Sequence, residues 1–148
     1  MKAITLTQPW ATLVAIGAKR IETRSWSTNY RGPLAIHAAK GLTADDLRLG
    51  FVDPFKSAFN AAGYKLVSTC PRGALVATCR LVACLPIKTE SYVFDLSRDE
   101  HITIPPERPE YDFGDYTPGR FAWYLVDVQA LPTPIPARGA LGLWTCEL

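Results

Sequence analysis

The side chains best suited to chemistry are concentrated in residues 17–26, GAKRIETRSW. In an extended strand, successive side chains point to opposite faces, so every second residue shares a face. That alternation predicts one face made of three charged residues and a tryptophan: Arg20, Glu22, Arg24 and Trp26. Arginine neutralises phosphate, a carboxylate accepts from base amines, and tryptophan stacks on a base. The stretch is therefore either the wall of a binding site or a solvated edge strand, whose charges oppose aggregation.

Lys19 lies just past the end of a predicted helix. A cation there can simply meet the unpaired carbonyls of the last turn, which is worth about 0.3–1 kcal/mol. Alternatively, Lys19 is held near Glu22 and meets a phosphate, a base edge or a carbonyl. If the protein is an enzyme, Lys19 would serve as a base or stabilise an oxyanion, and Glu22 would orient it or activate water.

The composition is that of a small globular protein with 148 residues, 48% of them apolar. This length predicts a single domain over residues 1–148. No apolar run approaches the roughly 18 residues of a membrane span, and the start, MKAITLTQPW, lacks the pattern of a secretory signal. We therefore expect a cytoplasmic protein that keeps its four cysteines reduced and has no contact with a membrane.

Charge is distributed unevenly along the chain. Residues 1–40 contain six basic residues and one acidic residue, whereas the other 108 contain ten and thirteen. This asymmetry predicts a positive face near the N-terminus. Residues 89–116 carry eight acidic residues against two arginines, which predicts a long surface excursion. A protein-interaction role for that excursion is the weakest of the functional hypotheses.

The remaining patterns predict five or six strands and three short helices. Helices are expected to begin at Pro9 and Pro54 and after an N-cap at Thr43, and the first to end at Gly17. Three alternate prolines, Pro132 to Pro136, predict an extended connector. The predicted strands are 3–6, 20–26, 31–38, 73–85, 119–131 and a last strand ending at 148. Many strands with few helices indicate a small, mainly antiparallel barrel with helices on its rim.

Basic residues also stand at predicted strand ends and turns. Arg120 precedes the strand FAWY, and Arg138 precedes the last strand, so both are expected where a barrel opens. Arg31 begins a turn with a glycine and a proline. Trp123 and Trp144 are expected to fill the core.

The sequence lacks the motifs of common catalytic sites. The chain contains no glycine-rich phosphate loop, no G-x-S-x-G and no metal-ligand spacing. His37 is expected to be a satisfied, partly buried histidine. We therefore predict no metal and no cofactor, and ordinary hydrolase and nucleotidyl-transferase templates have no support.

Three N-terminal segments resemble the ASCH domain family. They are QPWA at 8–11, the pattern G-x-K-x-x-E-x-R-x-W at 17–26, and Y-R-G-x-L-x-I at 30–36. Two later segments, GALVATCRLVAC and ARGALGLW, are similar to the family's central and final strands. The stretches that match least are 41–70 and 87–116, which we interpret as insertions.

This resemblance implies an α+β, mainly β fold: a PUA-like pseudo-barrel of about six mostly antiparallel strands with short helices at its mouth. It also implies a nucleic-acid-binding module, with RNA or another single strand favoured and duplex DNA possible. The family cleft corresponds to Lys19, Glu22 and Arg24, with Gln8 and Trp10 at its rim. The wider set of candidate contacts is Arg20, Trp26, Arg31, Arg120 and Arg138.

Some members of the family are enzymes. Small bacterial relatives hydrolyse the amide of an acetylated cytidine with a lysine, a threonine and a glutamate, and others are reported as ribonucleases. Their lysine matches Lys19, but their threonine aligns with Glu22. The neighbouring Thr23 is expected to point to the opposite face of the strand. The resemblance therefore favours binding over hydrolysis of a modified nucleoside or of RNA.

Overall fold

A computed structural model describes all residues, 1–148, as a mainly β protein with three short helices. The helices are α1 (Trp10–Ala15), α2 (Ala44–Leu49) and α3 (Phe55–Ala61), and 3₁₀ turns lie at Val67–Thr69 and Glu110–Phe113. The strands are β1 (Lys2–Leu6), β2 (Ile21–Arg24), β3 (Gly32–Ala38), β4 (Ala74–Pro86), β5 (Tyr92–Ser97), β6 (Glu100–Ile104), β7 (Phe121–Pro136) and β8 (Trp144–Thr145). No helix has the length and apolar character needed to cross a membrane.

Six strands form one mixed sheet in the order β2-β7-β4-β3-β1-β8, and β5 pairs with β6 in a separate hairpin. Every pair in the large sheet is antiparallel except β1 with β3. The sheet does not close, since β2 and β8 remain edge strands, but its shape is compatible with a pseudo-barrel. The prediction of a mainly β, PUA-like fold with about six strands and short helices is confirmed.

Local signals placed the helices correctly. Gly17 follows α1 with a φ of +79°, the left-handed conformation that favours glycine. Thr43 caps α2, because its side chain accepts from the Asp46 N–H while the Asp46 carboxylate accepts from the Thr43 N–H. Pro54 directly precedes α3. These signals act within one helical turn, so tertiary contacts did not override them.

Strand β7 is longer than the pattern indicated, because the three prolines predicted as a connector belong to it. Edge strand β2 pairs only with residues 121–124 of β7. Beyond them one side of β7 has no partner strand, so a proline there does not remove a needed hydrogen bond. The extended backbone was therefore predicted correctly, and its pairing with β4 was not.

The acidic stretch 89–116 is more than a solvated excursion. Its first half forms the β5–β6 hairpin, and its second half folds back along β2. Phe113 anchors this return, since it is buried against Phe55 and Phe59 of α3. Burying such a ring is worth roughly 1.5–3 kcal/mol. The anchor holds residues 110–115 beside the open edge of the main sheet.

The main core lies between α1 and the sheet. Trp123 is fully buried there, as predicted, together with Leu34, Ile36, Leu81 and Leu125. Trp144 is only half-buried and packs in a smaller cluster near β8. The core therefore supports the middle of the sheet and leaves the β2 edge to be closed by polar groups.

Candidate nucleic-acid interface

The open edge of β2 is closed by charged side chains instead of another strand. At Ile21, the Glu110 Oε1 atom accepts from the backbone N–H at 2.7 Å, and the Lys19 ammonium donates to the carbonyl oxygen. At Thr23, the Glu22 Oε1 atom accepts from the N–H at 2.8 Å. Buried backbone groups need such partners, and a bare edge would invite strand pairing. The motif's lysine and glutamate are therefore part of the fold itself.

Arg120 completes this edge. Its guanidinium donates to the Thr23 carbonyl at 3.2 Å and to the Asp115 carbonyl at 3.2 Å, and it lies 3.5 Å from the Asp115 carboxylate. It thus ties β2 to the 110–115 segment. Charged residues therefore do protect the edge of β2, but Lys19 and Glu22 are buried and Glu110 and Arg120 are half-buried, so the edge is not a solvated one.

Lys19 is only 1% exposed and does not open to a cavity. Burial raises the pKa of the Glu110 carboxyl, although the two N–H groups it accepts from and the Lys19 charge oppose the shift. The second oxygen of Glu110 and the hydroxyl of Tyr116 are buried without partners. The pKa of Tyr116 is also raised, by burial and by the nearby charges of Glu110 and Glu22. Lys19 thus acts as a buried cation among acidic groups.

A groove of about 270 Å³, here named the edge groove, runs along β2. Residues of β2, Trp10 of α1 and the 112–115 segment form its walls. The lining residues are Leu6, Thr7, Trp10, Glu22, Thr23, Arg24, Asp112, Phe113, Gly114 and Asp115. Three of these are carboxylates and one is a guanidinium, so the groove suits a ligand that donates hydrogen bonds.

Two groups in the edge groove keep free bonding capacity. Glu22 is only 8% exposed but lines the groove, and its second carboxylate oxygen has no partner in the protein. Arg24 donates from Nη2 to the Thr5 carbonyl at 3.0 Å, its Nε is buried without an acceptor, and its Nη1 has no partner in the protein. Its guanidinium also lies 6.0 Å from the centre of the Trp26 ring. An acceptor and a donor therefore stand side by side on β2.

Thr23 borders the same groove as Glu22, contrary to the expectation that it would face away. Because the groove follows the open edge of β2, residues from both strand faces reach it. The Thr23 hydroxyl accepts from the Asp115 N–H at 2.9 Å. A Cβ on Gly114 would lie 3.1 Å from the Thr23 methyl group and 2.8 Å from the Tyr116 ring, so glycine allows the approach.

A second groove of about 1,100 Å³, here named the basic groove, adjoins the first at Thr7 and Arg24. No carboxylate lines it. Its other cations are Lys40, Arg72 and Arg138. Only two of the six basic residues of 1–40, Arg24 and Lys40, line this groove, and its other two cations come from later in the chain.

Several predicted contact residues lie elsewhere. Gln8 was placed at the cleft rim, yet it is 0% exposed, donates to the Pro71 carbonyl at 2.7 Å and accepts from the Thr12 N–H at 3.1 Å. Arg20 lies away from both grooves, with its guanidinium 5.7 Å from the centre of the Tyr124 ring. Gln8 therefore joins α1 to a neighbouring loop, and Arg20 covers the outer face of β7.

Trp26 and Arg31 are also occupied within the fold. The Trp26 ring packs edge-on against Trp123 at 4.7 Å, and its carbonyl accepts from the Trp123 indole N–H at 3.3 Å. Arg31 donates to the carbonyls of Thr28 and Tyr30 within its own turn. Base stacking on Trp26 would have to use what remains of a half-buried ring.

Sequence reasoning missed Glu110, Asp115, Lys40 and Arg72. Glu110 lies 89 residues from the Ile21 N–H it binds, and nothing in the local pattern links the two. The excess of acidic residues in 89–116 is visible in the sequence, but their positions do not show which carboxylates bind backbone groups of the main sheet. Across the chain, no group of three or more His, Cys, Asp or Glu residues is arranged to hold a metal ion.

Comparison with known proteins identifies the family. A family model described as "ASCH domain" matches residues 4–134. The chain belongs to the ASCH family. It is also 31% identical over 97 residues to Activating signal cointegrator 1 of Mus musculus. That match covers 65% of this chain and 16% of the mouse protein, so the likeness concerns a small part of the larger protein.

The ASCH motif divides into two groups in the structure. Lys19 is buried at the β2 edge and lines neither groove, whereas Arg24 and the mostly buried Glu22, 8% exposed, line the edge groove. The half-buried Trp10 lines the same groove. The motif thus both stabilises the edge of this ASCH domain and lines a groove beside it.

Proposed function

We propose that this ASCH domain binds nucleic acid, RNA ahead of DNA, through the edge groove. The observation that carries the proposal is the free acceptor on Glu22 beside the free donor on Arg24. Such a pair matches the mixed donor and acceptor edge of an unpaired base. The adjoining basic groove supplies positive charge without a competing carboxylate.

The motif residues would then have different roles. Glu22 accepts from an exocyclic base amine, Arg24 donates to a base or phosphate oxygen, and Trp10 flanks the base. Lys19 positions β2 and does not touch the ligand, because its ammonium is buried on the Ile21 carbonyl. The preference for RNA rests on the family resemblance.

Fluorescence anisotropy with labelled ten-nucleotide strands tests the proposal. We expect single-stranded RNA to bind more tightly than single-stranded or duplex DNA, and oligo(C) or oligo(A) more tightly than oligo(U), which has no base amine. Glu22→Gln keeps an acceptor for the Thr23 N–H and places a donor in the groove, so the preference for amine-bearing bases should fall or reverse. The absence of binding to every probe at low salt would refute the proposal.

Arg24→Lys is the sharper arginine variant because it keeps the charge and loses the planar fork. We expect about tenfold weaker binding with an unchanged salt dependence. Arg98→Ala, in the exposed β5–β6 hairpin, is the control and should bind as the wild type does. Circular dichroism checks that each variant is folded.

A hydrolase is the second candidate, favoured by one observation: the Thr23 hydroxyl and the Glu22 carboxylate border the same groove. Water would add to the amide of an acetylated cytidine, releasing acetate and cytidine, or would cleave RNA. Lys19 was the expected base, but its burial leaves it a positioning role. Incubating the protein with acetylated cytidine and with RNA, beside Thr23→Val and Lys19→Ala, tests this. Turnover that survives Thr23→Val would exclude that hydroxyl as a participant.

A further inference from the structure

The two adjoining grooves differ in charge. The edge groove is lined by Glu22, Asp112, Asp115 and one arginine, and its two aspartates are paired with Arg108 and Arg120. Hydrogen bonds from Thr117 lower the pKa of Asp115, so this carboxylate is ionised at neutral pH. The basic groove holds four cations and no carboxylate. A phosphate would therefore be attracted to the second groove in preference to the first.

We propose that a single nucleic-acid strand lays its sugar–phosphate backbone in the basic groove and turns one base at Arg24 into the edge groove. This inference rests on the proposed function and specifies its ligand. Arg24 is the only charged residue that lines both grooves, so it stands where backbone and base separate. Its Nη1 forms no hydrogen bond within the protein, and a ligand oxygen at that junction would supply an acceptor.

The three other cations are available for phosphate. Arg138 and Lys40 are exposed, and neither side chain forms a hydrogen bond or ion pair within the protein. Arg72 uses one N–H on the Lys40 carbonyl at 3.2 Å, which holds its guanidinium beside Lys40. Their charges are not neutralised by the protein, so the gain from releasing counterions remains available to a ligand.

The wall that carries Arg138 is held firmly in place. His37 is 2% exposed and donates from Nε2 to the Ala137 carbonyl at 2.8 Å. A Cβ on Gly139 would lie 2.6 Å from the His37 ring and 2.8 Å from the Thr5 hydroxyl oxygen. The backbone on both sides of Arg138 is thus packed against buried groups, which gives this cation a fixed base.

The geometry favours a single strand because a base must be unpaired to present its edge to Glu22. The edge groove of about 270 Å³ is much smaller than the basic groove of about 1,100 Å³. The smaller groove has room for one base, and the larger, basic groove has room for several phosphates.

The test compares two triple variants that remove the same charge. The first, Lys40→Ala/Arg72→Ala/Arg138→Ala, removes every cation of the basic groove except Arg24. The control, Lys65→Ala/Arg80→Ala/Arg98→Ala, removes one lysine and two arginines from exposed positions outside both grooves. Affinity for a ten-nucleotide single-stranded RNA is measured from 50 to 300 mM salt.

Loss of three phosphate contacts on a single strand should reduce the slope of log K against log salt by about 2. At 0.15 M salt this corresponds to about 50-fold weaker binding. The control triple should keep at least most of the wild-type slope. Equal slopes for the groove triple and the wild type, or equal losses in both triples, would overturn the inference.

A strand that lacks its central base separates the two grooves. The wild type should bind it more weakly than the intact strand but with the same salt slope, and Glu22→Gln should cause no further loss. If the abasic strand instead lost the salt slope, the division into base and phosphate grooves would be wrong.

The two proposals can fail separately. A wild-type protein that binds no strand at low salt refutes the proposed function and this inference together. The second case is a protein that binds RNA and is sensitive to Glu22→Gln, but whose salt slope is unchanged in the groove triple variant. That result supports the proposed function and refutes only the proposed path of the sugar–phosphate backbone.

Discussion

Replacing Lys19 by methionine is expected to destabilise the protein strongly, although lysine is usually a surface residue. Its ammonium binds the Ile21 carbonyl at the open edge of β2, and Glu110 binds the adjacent N–H. Methionine keeps an unbranched apolar chain but leaves the carbonyl without a donor and Glu110 without its neighbouring cation. Leaving a buried carbonyl without its donor costs about 1–3 kcal/mol, which we expect as the fall in unfolding free energy.

The loss of unfolding free energy in Lys19→Met should increase with pH. Burial already raises the pKa of Glu110 above its model-compound value of 4.5, and Lys19 opposes the shift. Without Lys19 that pKa rises further. A carboxyl whose folded pKa exceeds its unfolded pKa adds stability at low pH and loses it as pH rises through the folded value. The deficit of Lys19→Met relative to wild type should therefore be smaller at pH 5 than at pH 8.

Urea unfolding at both pH values measures these effects on the wild type, Lys19→Met, Glu110→Gln and the double variant. Glu110→Gln removes the ionised carboxyl that Lys19 stabilises. The fall in unfolding free energy of the double variant should therefore be smaller than the sum of the two single falls, by at least about 1 kcal/mol. Lys65→Met, at an exposed lysine, is the matched control. If Lys19→Met were as stable as this control, the proposed role of Lys19 at the β2 edge would be refuted. Strictly additive losses of unfolding free energy in the double variant would refute it as well.

Three further outcomes follow from burial and close approach. Gly139→Ala should cost about 1–3 kcal/mol, because its Cβ meets a histidine ring at 2.6 Å, whereas Gly41→Ala, with no atom within 4 Å, should melt near the wild-type temperature. Tyr116→Phe should be neutral or stabilising in a thermal melt, since the hydroxyl is buried without a partner. Burial raises the pKa of Cys79 to about 12, so mass spectrometry after brief native iodoacetamide treatment at pH 8 should find half-buried Cys84 modified ahead of Cys79.

Local signals predicted much of the fold because their physics acts over a few residues. Gly17 ends α1, and Thr43 with Asp46 caps α2, each through backbone geometry or bonds within one turn. Period-two alternation placed β2, although its observed bounds, Ile21–Arg24, are shorter than 20–26. The same alternation grouped Arg20 and Trp26 with Glu22 and Arg24, and there it was misleading.

The reason is that alternation assigns a strand face but not the partner that a long side chain meets. The Arg20 guanidinium packs on the Tyr124 ring, and Trp26 packs against Trp123, both on β7. The Gln8 side chain similarly donates to the Pro71 carbonyl, 63 residues away. Their places were decided by which groups the sheet brought within reach.

The sequence by itself determined that charged residues would gather on β2, and the family motif identified Glu22 and Arg24 as candidates for ligand contact. Only the tertiary structure decided how that charge is used. The open strand edge leaves backbone groups that must be bonded, and the distant Glu110 and Arg120 satisfy them together with Lys19 and Glu22. The same folding brings Lys40, Arg72 and Arg138 to one groove, because charges far apart in sequence can meet only when the strands between them pair.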